Sequence, residues 1–102
     1  MQTPLNREIV LSRRARRQLF TALSWWFSHR DKAPNAFEED LNATWELLSG
    51  APAVGKAVSA RRPGVRRVLM ERVRYYVYYR VTKSGVVEIT AIWHSSRRPP
   101  VL

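Results

Sequence analysis

The sequence predicts an α+β domain: a short strand, two helices, then three strands. Three observations carry this. Residues 8–11, 65–70, 74–81 and 86–94 are rich in Val, Ile, Tyr and Trp, and the later blocks alternate apolar with polar, as half-buried strands do. Residues 12–50 instead repeat apolar side chains at helical spacing. Residues 51–64, with two prolines and two glycines, separate the two regimes as a loop.

Each element follows in order. Residues 8–11 give the first strand. Ser12 is placed as an N-cap residue, because its hydroxyl can accept from the free amides of a first helical turn. Ala15, Leu19, Ala22, Leu23 and Trp26 then form the apolar stripe of helix one. His29, Arg30, Asp31 and Lys32 break it, and Pro34 suits the start of helix two. Phe37, Leu41, Trp45 and Leu48 make one apolar face there, while Glu38, Glu39 and Asp40 complement the helix dipole. Gly50 and Pro52 stop it. The short link between the helices makes them an antiparallel hairpin. In the strand 74–81, Tyr75, Val77, Tyr79 and Val81 share one face, and Arg74, Tyr76, Tyr78 and Arg80 the other. In 86–94, Val87, Ile89, Ala91 and Trp93 oppose Glu88, Thr90, Ile92 and His94. Lys83, Ser84 and Gly85 turn between these two strands. Leu19, Trp26, Phe37, Leu41 and Trp45 are the expected core between hairpin and sheet.

At 102 residues the chain makes one domain, 1–102, and 45% hydrophobic content with four Trp supports a core. There is no cysteine, which excludes a disulfide framework and a thiolate zinc site. The charge-free run 18–28 is too short to span a bilayer. A cytoplasmic protein without a membrane partner is expected. No metal cluster, phosphate-cradling glycine loop or nucleophile triad appears, so neither cofactor nor metal is expected.

Charge is the functional signal. The net charge is +10, and its distribution is uneven: residues 1–30 hold six basic and one acidic side chain, 31–56 two and five, 57–102 ten and two. Such a field favours anionic partners, either nucleic acid or an acidic protein. Arg13, Arg14, Arg16 and Arg17 open helix one against its dipole, a placement that suggests use. Solvated arginine stems covering apolar surface would produce the same pattern. Tyr75, Tyr76, Tyr78 and Tyr79, interleaved with arginine, could stack bases, but alternation lets at most half line one surface. Arg97 and Arg98 precede two prolines, which cannot extend a ladder.

The ordered pieces resemble the ParE-like toxins of the RelE/ParE superfamily, the toxin half of bacterial toxin–antitoxin pairs. The resemblance runs through Ser12-x-x-Ala15-x-x-x-Leu19, Pro34-x-Ala36, Leu48-x-x-x-Pro52-x-x-Gly55 and Val65-Arg66. It continues through Tyr75-x-x-Tyr78-Tyr79-Arg80-Val81 and Ile92-x-His94-x-x-Arg97-Arg98-x-Pro100. It implies a β-α-α-β-β-β fold, a helical hairpin packed on a small, largely antiparallel sheet. It also implies a cognate antitoxin and a hetero-oligomer with it.

The branches of that superfamily differ in chemistry. RelE-like members cleave ribosome-bound mRNA, whereas ParE-like members poison DNA gyrase by binding. Cleavage needs a base for the ribose 2′-OH, an acid for the leaving oxygen and cations for the phosphorane. Arg66, Arg80 and His94 could pass for that set. However, no tyrosine follows His94, and a strand-end histidine that bonds the backbone reads as well. The expectation is therefore a gyrase-binding inhibitor rather than an enzyme, with Arg13, Arg17, Tyr78, Arg80, Arg97 and Arg98 contacting partners. The alternatives are a ribosome-dependent endoribonuclease acting on mRNA and a plain nucleic-acid-binding module.

Overall fold

The computed structural model describes residues 6–29 and 33–100. Its elements are β1 (Ile9–Leu11), α1 (Arg13–His29), α2 (Ala36–Gly50), a 3-10 turn (Pro52–Val54), β2 (Lys56–Ala57), β3 (Arg66–Met70), β4 (Tyr75–Val81) and β5 (Val87–His94). They form one five-stranded sheet in the order β1-β5-β4-β3-β2. β1 runs parallel to β5, and the other pairs are antiparallel. The predicted α+β architecture is the observed one. The addition is β2, a two-residue edge strand inside the expected loop, too short to show a period.

α1 begins as its N-cap residue dictates: Ser12 Oγ accepts the Ala15 amide at 3.0 Å. It ends at His29; Arg30, Asp31 and Lys32 lie outside the described residues. α2 starts two residues later than Pro34, because Pro34 and Asn35 occupy a turn and the Ala36 amide donates to the Ala33 carbonyl. The hairpin is locked where the Trp26 indole donates to the Ala33 carbonyl at 2.9 Å and its ring packs on Phe37.

The core lies between this hairpin and one face of the sheet. It contains Ala15, Ala22, Trp26, Phe37, Leu41, Leu48, Met70, Val77, Tyr79, Val87, Ile89 and Ile92. Of the five expected core residues, Trp26, Phe37 and Leu41 are buried, while Leu19 and Trp45 are half-buried against the same cluster.

One register shift corrects the expected faces of β5. Tyr78 pairs with Ala91 and Tyr79 with Ile89, so Thr90 is an extra residue, a β-bulge. Before it, Val87 and Ile89 face the helices; after it, Ile92 does. Ala91 and Trp93 therefore lie on the outer face, paired with Tyr78 and Tyr76. The backbone groups the bulge frees are taken by α1. The Thr90 carbonyl accepts from Ser12 Oγ at 3.4 Å and Arg14 Nε at 3.3 Å, and the Ile92 amide donates to Gln18 Oε1 at 2.7 Å.

Two further ties set the geometry. Asp40 accepts the Arg72 and Val73 amides and pairs with the Arg72 guanidinium at 2.9 Å, while Glu39 takes Arg72 Nη2. This clamps the β3–β4 turn to α2, and the two carboxylates, Glu39 first, raise the Arg72 pKa above its ordinary value. Tyr79 Oη donates to the Pro52 carbonyl at 2.6 Å and accepts the Gly55 amide at 2.9 Å. A Cβ at Gly55 would overlap that phenol oxygen, so the loop requires glycine there.

Candidate functional site

The six expected partner contacts do not form one surface. Arg13 is exposed on α1. Arg17 and Arg97 meet in a cleft between α1 and the end of β5. Arg98 is exposed, and its backbone carbonyl accepts the Trp93 indole N–H at 2.6 Å. Arg80 pairs with Glu88 at 2.8 Å on the outer face. Tyr78, an expected partner contact, is 2% exposed, so its ring is closed off in the isolated chain. Its hydroxyl accepts from Arg67 Nη1, and its ring lies beside a small cavity with Lys56, Val58 and the tail residues Pro99 and Pro100.

Nor is the nuclease set assembled. Arg66 and Tyr79 are cross-strand partners on the helix face, and the Arg66 guanidinium is committed to the Gly55 carbonyl at 2.7 Å. Arg80 points from the opposite face. His94 pairs with Tyr75 at the far end of β4, five residues or about 17 Å along the strand from Arg80. His94 Nδ1 accepts the Ser96 amide at 3.1 Å, so a neutral ring carries its proton on Nε2. Its ring also meets Tyr75 edge-on, with centroids 5.0 Å apart. The strand-end histidine bonded to backbone is the arrangement present.

The outer face of the sheet is a lattice of arginine and aromatic rings. Arg67 lies 3.9 Å over the Tyr76 ring, and Arg97 lies 4.3 Å over Trp93. Sequence alternation separates Trp93 from Tyr76 and Tyr78; the bulge joins them.

The cleft beside it was only partly legible. One half, about 410 Å³, is lined by Arg14, Arg17, Gln18, His94 and Arg97 among others. The other, about 630 Å³, adds Trp25, Trp26, Arg72 and Arg74. Both halves share Thr21, Tyr75, His94 and Arg97. Among the described residues no Asp or Glu lines either half. Burial raises the Tyr75 pKa, and the nearby Arg97 charge opposes that rise. Arg74 holds φ at 65°, a left-handed conformation uncommon outside Gly and Asn, and its carbonyl accepts the Ser95 amide. Backbone strain in the β3–β4 turn thus places an arginine at the cleft, a feature that no spacing in the sequence announces.

A helical hairpin on a five-stranded, mostly antiparallel sheet with an arginine-rich surface defines a small basic α+β domain. The profile of the ParE toxin of the type II toxin–antitoxin system, parDE, matches residues 9–99. The chain belongs to that family. No curated protein matches the sequence. Among solved structures, it is similar to a chain of the chromosomal ParDE TA system from P. aeruginosa, with TM-score 0.68, 18% identity, and coverage of 86% of this chain and 95% of the other. It is similar to the isolated E. coli RelE toxin, with TM-score 0.53, 17% identity, and coverage of 90% and 87%. A chain of the intact E. coli RelBE toxin–antitoxin complex gives TM-score 0.51, 17% identity, and coverage of 89% and 99%. No described helix is long and apolar enough to cross a membrane.

Proposed function

We propose that this ParE-family toxin acts in the cytoplasm by binding DNA gyrase and trapping it on cleaved DNA, and that an acidic antitoxin segment neutralises it. The observation that carries the reading is the dispersal of Arg66, Arg80 and His94 over two faces and two ends of the sheet. Cleavage needs a base, an acid and a phosphorane cation within reach of one phosphodiester, and Arg66, Arg80 and His94 are not so placed. Binding, by contrast, needs only surface. The exposed arginines of α1 and the tail supply charge-assisted hydrogen bonds to carboxylates. Exposed Phe20 and Phe27, at 73% and 74%, add apolar area one face round on the same helix.

The test is the cellular phenotype of wild type and His94→Ala expressed without antitoxin. Both should filament and induce the DNA-damage response while translation continues. An immediate translation arrest, relieved by His94→Ala or Arg80→Ala, would transfer the protein to the endoribonuclease reading.

A further inference from the structure

The cleft between α1 and the end of β5 carries an inference beyond gyrase binding. We infer that it is a binding site for a single strand of nucleic acid, with phosphates on Arg17, Arg97 and Arg74 and a base against the exposed ring of Trp25. Three features point to this ligand. The first is charge. Arg14, Arg17, Arg74 and Arg97 converge from α1, the β3–β4 turn and the tail, with no carboxylate among the described lining residues. Arg72, at the rim, is already neutralised by Glu39 and Asp40. A site for an acidic peptide would also be positive, so charge alone does not choose.

The second feature is the walls. Trp25, 43% exposed and stacked with His29, flanks one half beside the buried Trp26, and Trp93 flanks the other with the Arg97 guanidinium over its ring. Alternating cations and aromatic faces suit a backbone whose charges are spaced by flat bases. Carboxylate side chains have no such faces. The third is size. Depressions of about 410 and 630 Å³ that meet at Tyr75 and His94 admit unpaired nucleotides but not a duplex, whose bases face inward. The donor inventory agrees: Gln18 and Thr21 line the cleft, and His94 brings an Nε2 N–H in its neutral tautomer. Strained Arg74 becomes intelligible as well, because a turn conformation held against preference places a cation at the site.

The experiment measures binding of the purified full chain, without gyrase, to a labelled 12-nucleotide single-stranded DNA across a salt series. The other arms are single-stranded RNA of the same sequence, the duplex DNA, and polyglutamate of equal charge. Single strands should bind most tightly, and the DNA and RNA arms identify which sugar is preferred. The logarithmic salt slope for a single strand is about −0.7 per neutralised phosphate. Arg17→Ala with Arg97→Ala should therefore flatten it by about 1.4 and weaken binding at least tenfold. Arg61→Ala with Arg62→Ala removes the same charge from the loop between β2 and β3, outside the cleft, and should leave the slope unchanged. Trp25→Ala should cost single-strand binding roughly tenfold, as loss of a stacking platform does, while leaving the salt slope alone. Equal weakening by the two arginine pairs, equal affinity for polyglutamate or duplex, or an unaffected Trp25→Ala overturns the inference. Because gyrase is absent from the assay, its outcome is independent of the gyrase reading.

Discussion

Replacing Tyr79 with Phe tests how the loop that carries β2 is held to the sheet. Tyr79 is fully buried, and its hydroxyl donates to the Pro52 carbonyl at 2.6 Å and accepts the Gly55 amide at 2.9 Å. Phenylalanine keeps the ring and its packing but removes both bonds. Pro52 is partly exposed, so its carbonyl can turn to water, whereas Gly55 is buried and its N–H is left without a partner. An orphaned buried donor costs about 1–3 kcal/mol. In a domain of this size that lowers Tm by on the order of 10 °C. Tyr76→Phe is the control, since its ring lies under Arg67 on the outer face and the stack survives the change; it should alter stability by less than about 0.5 kcal/mol. Burial, above all, raises the Tyr79 pKa, against the Gly55 bond and the Arg66 charge. An unfolded tyrosine then ionises first and binds fewer protons, so stability is complete below about pH 10 and falls as pH rises through the folded value. Tyr79→Phe should flatten that alkaline slope. Thermal melts at neutral and alkaline pH decide the matter. Equal melting of Tyr79→Phe and Tyr76→Phe refutes the claim that this phenol anchors the loop.

Further outcomes follow from the same contacts. Leu41, 6% exposed in the hairpin–sheet core, should cost about 2–5 kcal/mol on truncation to Ala in chemical denaturation, and a loss under about 0.5 removes it from the core. Arg74→Gly relieves a left-handed conformation and should raise stability by about 0.5–1 kcal/mol once glycine's extra chain entropy is subtracted. A lower Tm for that variant would show that the Arg74 side chain is stabilising. Association with antitoxin should slow as salt rises and slow again in Arg97→Ala with Arg98→Ala, measured by stopped flow. A salt-independent rate, or a double mutant equal to wild type, removes the tail from antitoxin recognition.

The helices and long strands were legible because their signals are local. The Ser12 cap, the Leu41-type stripe and the Tyr75–Val77–Tyr79 alternation each need only neighbouring residues. The bulge at Thr90 was not, because one inserted residue leaves composition unchanged and betrays itself only in register. That single shift moved Trp93 to the outer face and gave Ile92 to the core. It also explains Arg14, whose position against the helix dipole is compensated by the Thr90 carbonyl it bonds. The candidate site was legible as residue types and not as a place. Arg17 and Arg97 were singled out separately, 80 positions apart, and only the topology that lays α1 across β5 brings them together. Tyr78 lies on the outer face, as alternation with Tyr79 predicts, yet the chain around Lys56, Val58 and Pro99 closes beside it and buries it.

The central claim is inhibition by binding rather than cleavage. Its most direct test incubates the purified toxin with DNA gyrase, ATP and supercoiled plasmid, then denatures the mixture and counts linearised DNA. Toxin-dependent linear plasmid with gyrase covalently attached, retained by His94→Ala, is the predicted result. No linear product, together with codon-specific cuts in ribosome-bound mRNA that vanish with His94→Ala, would contradict it.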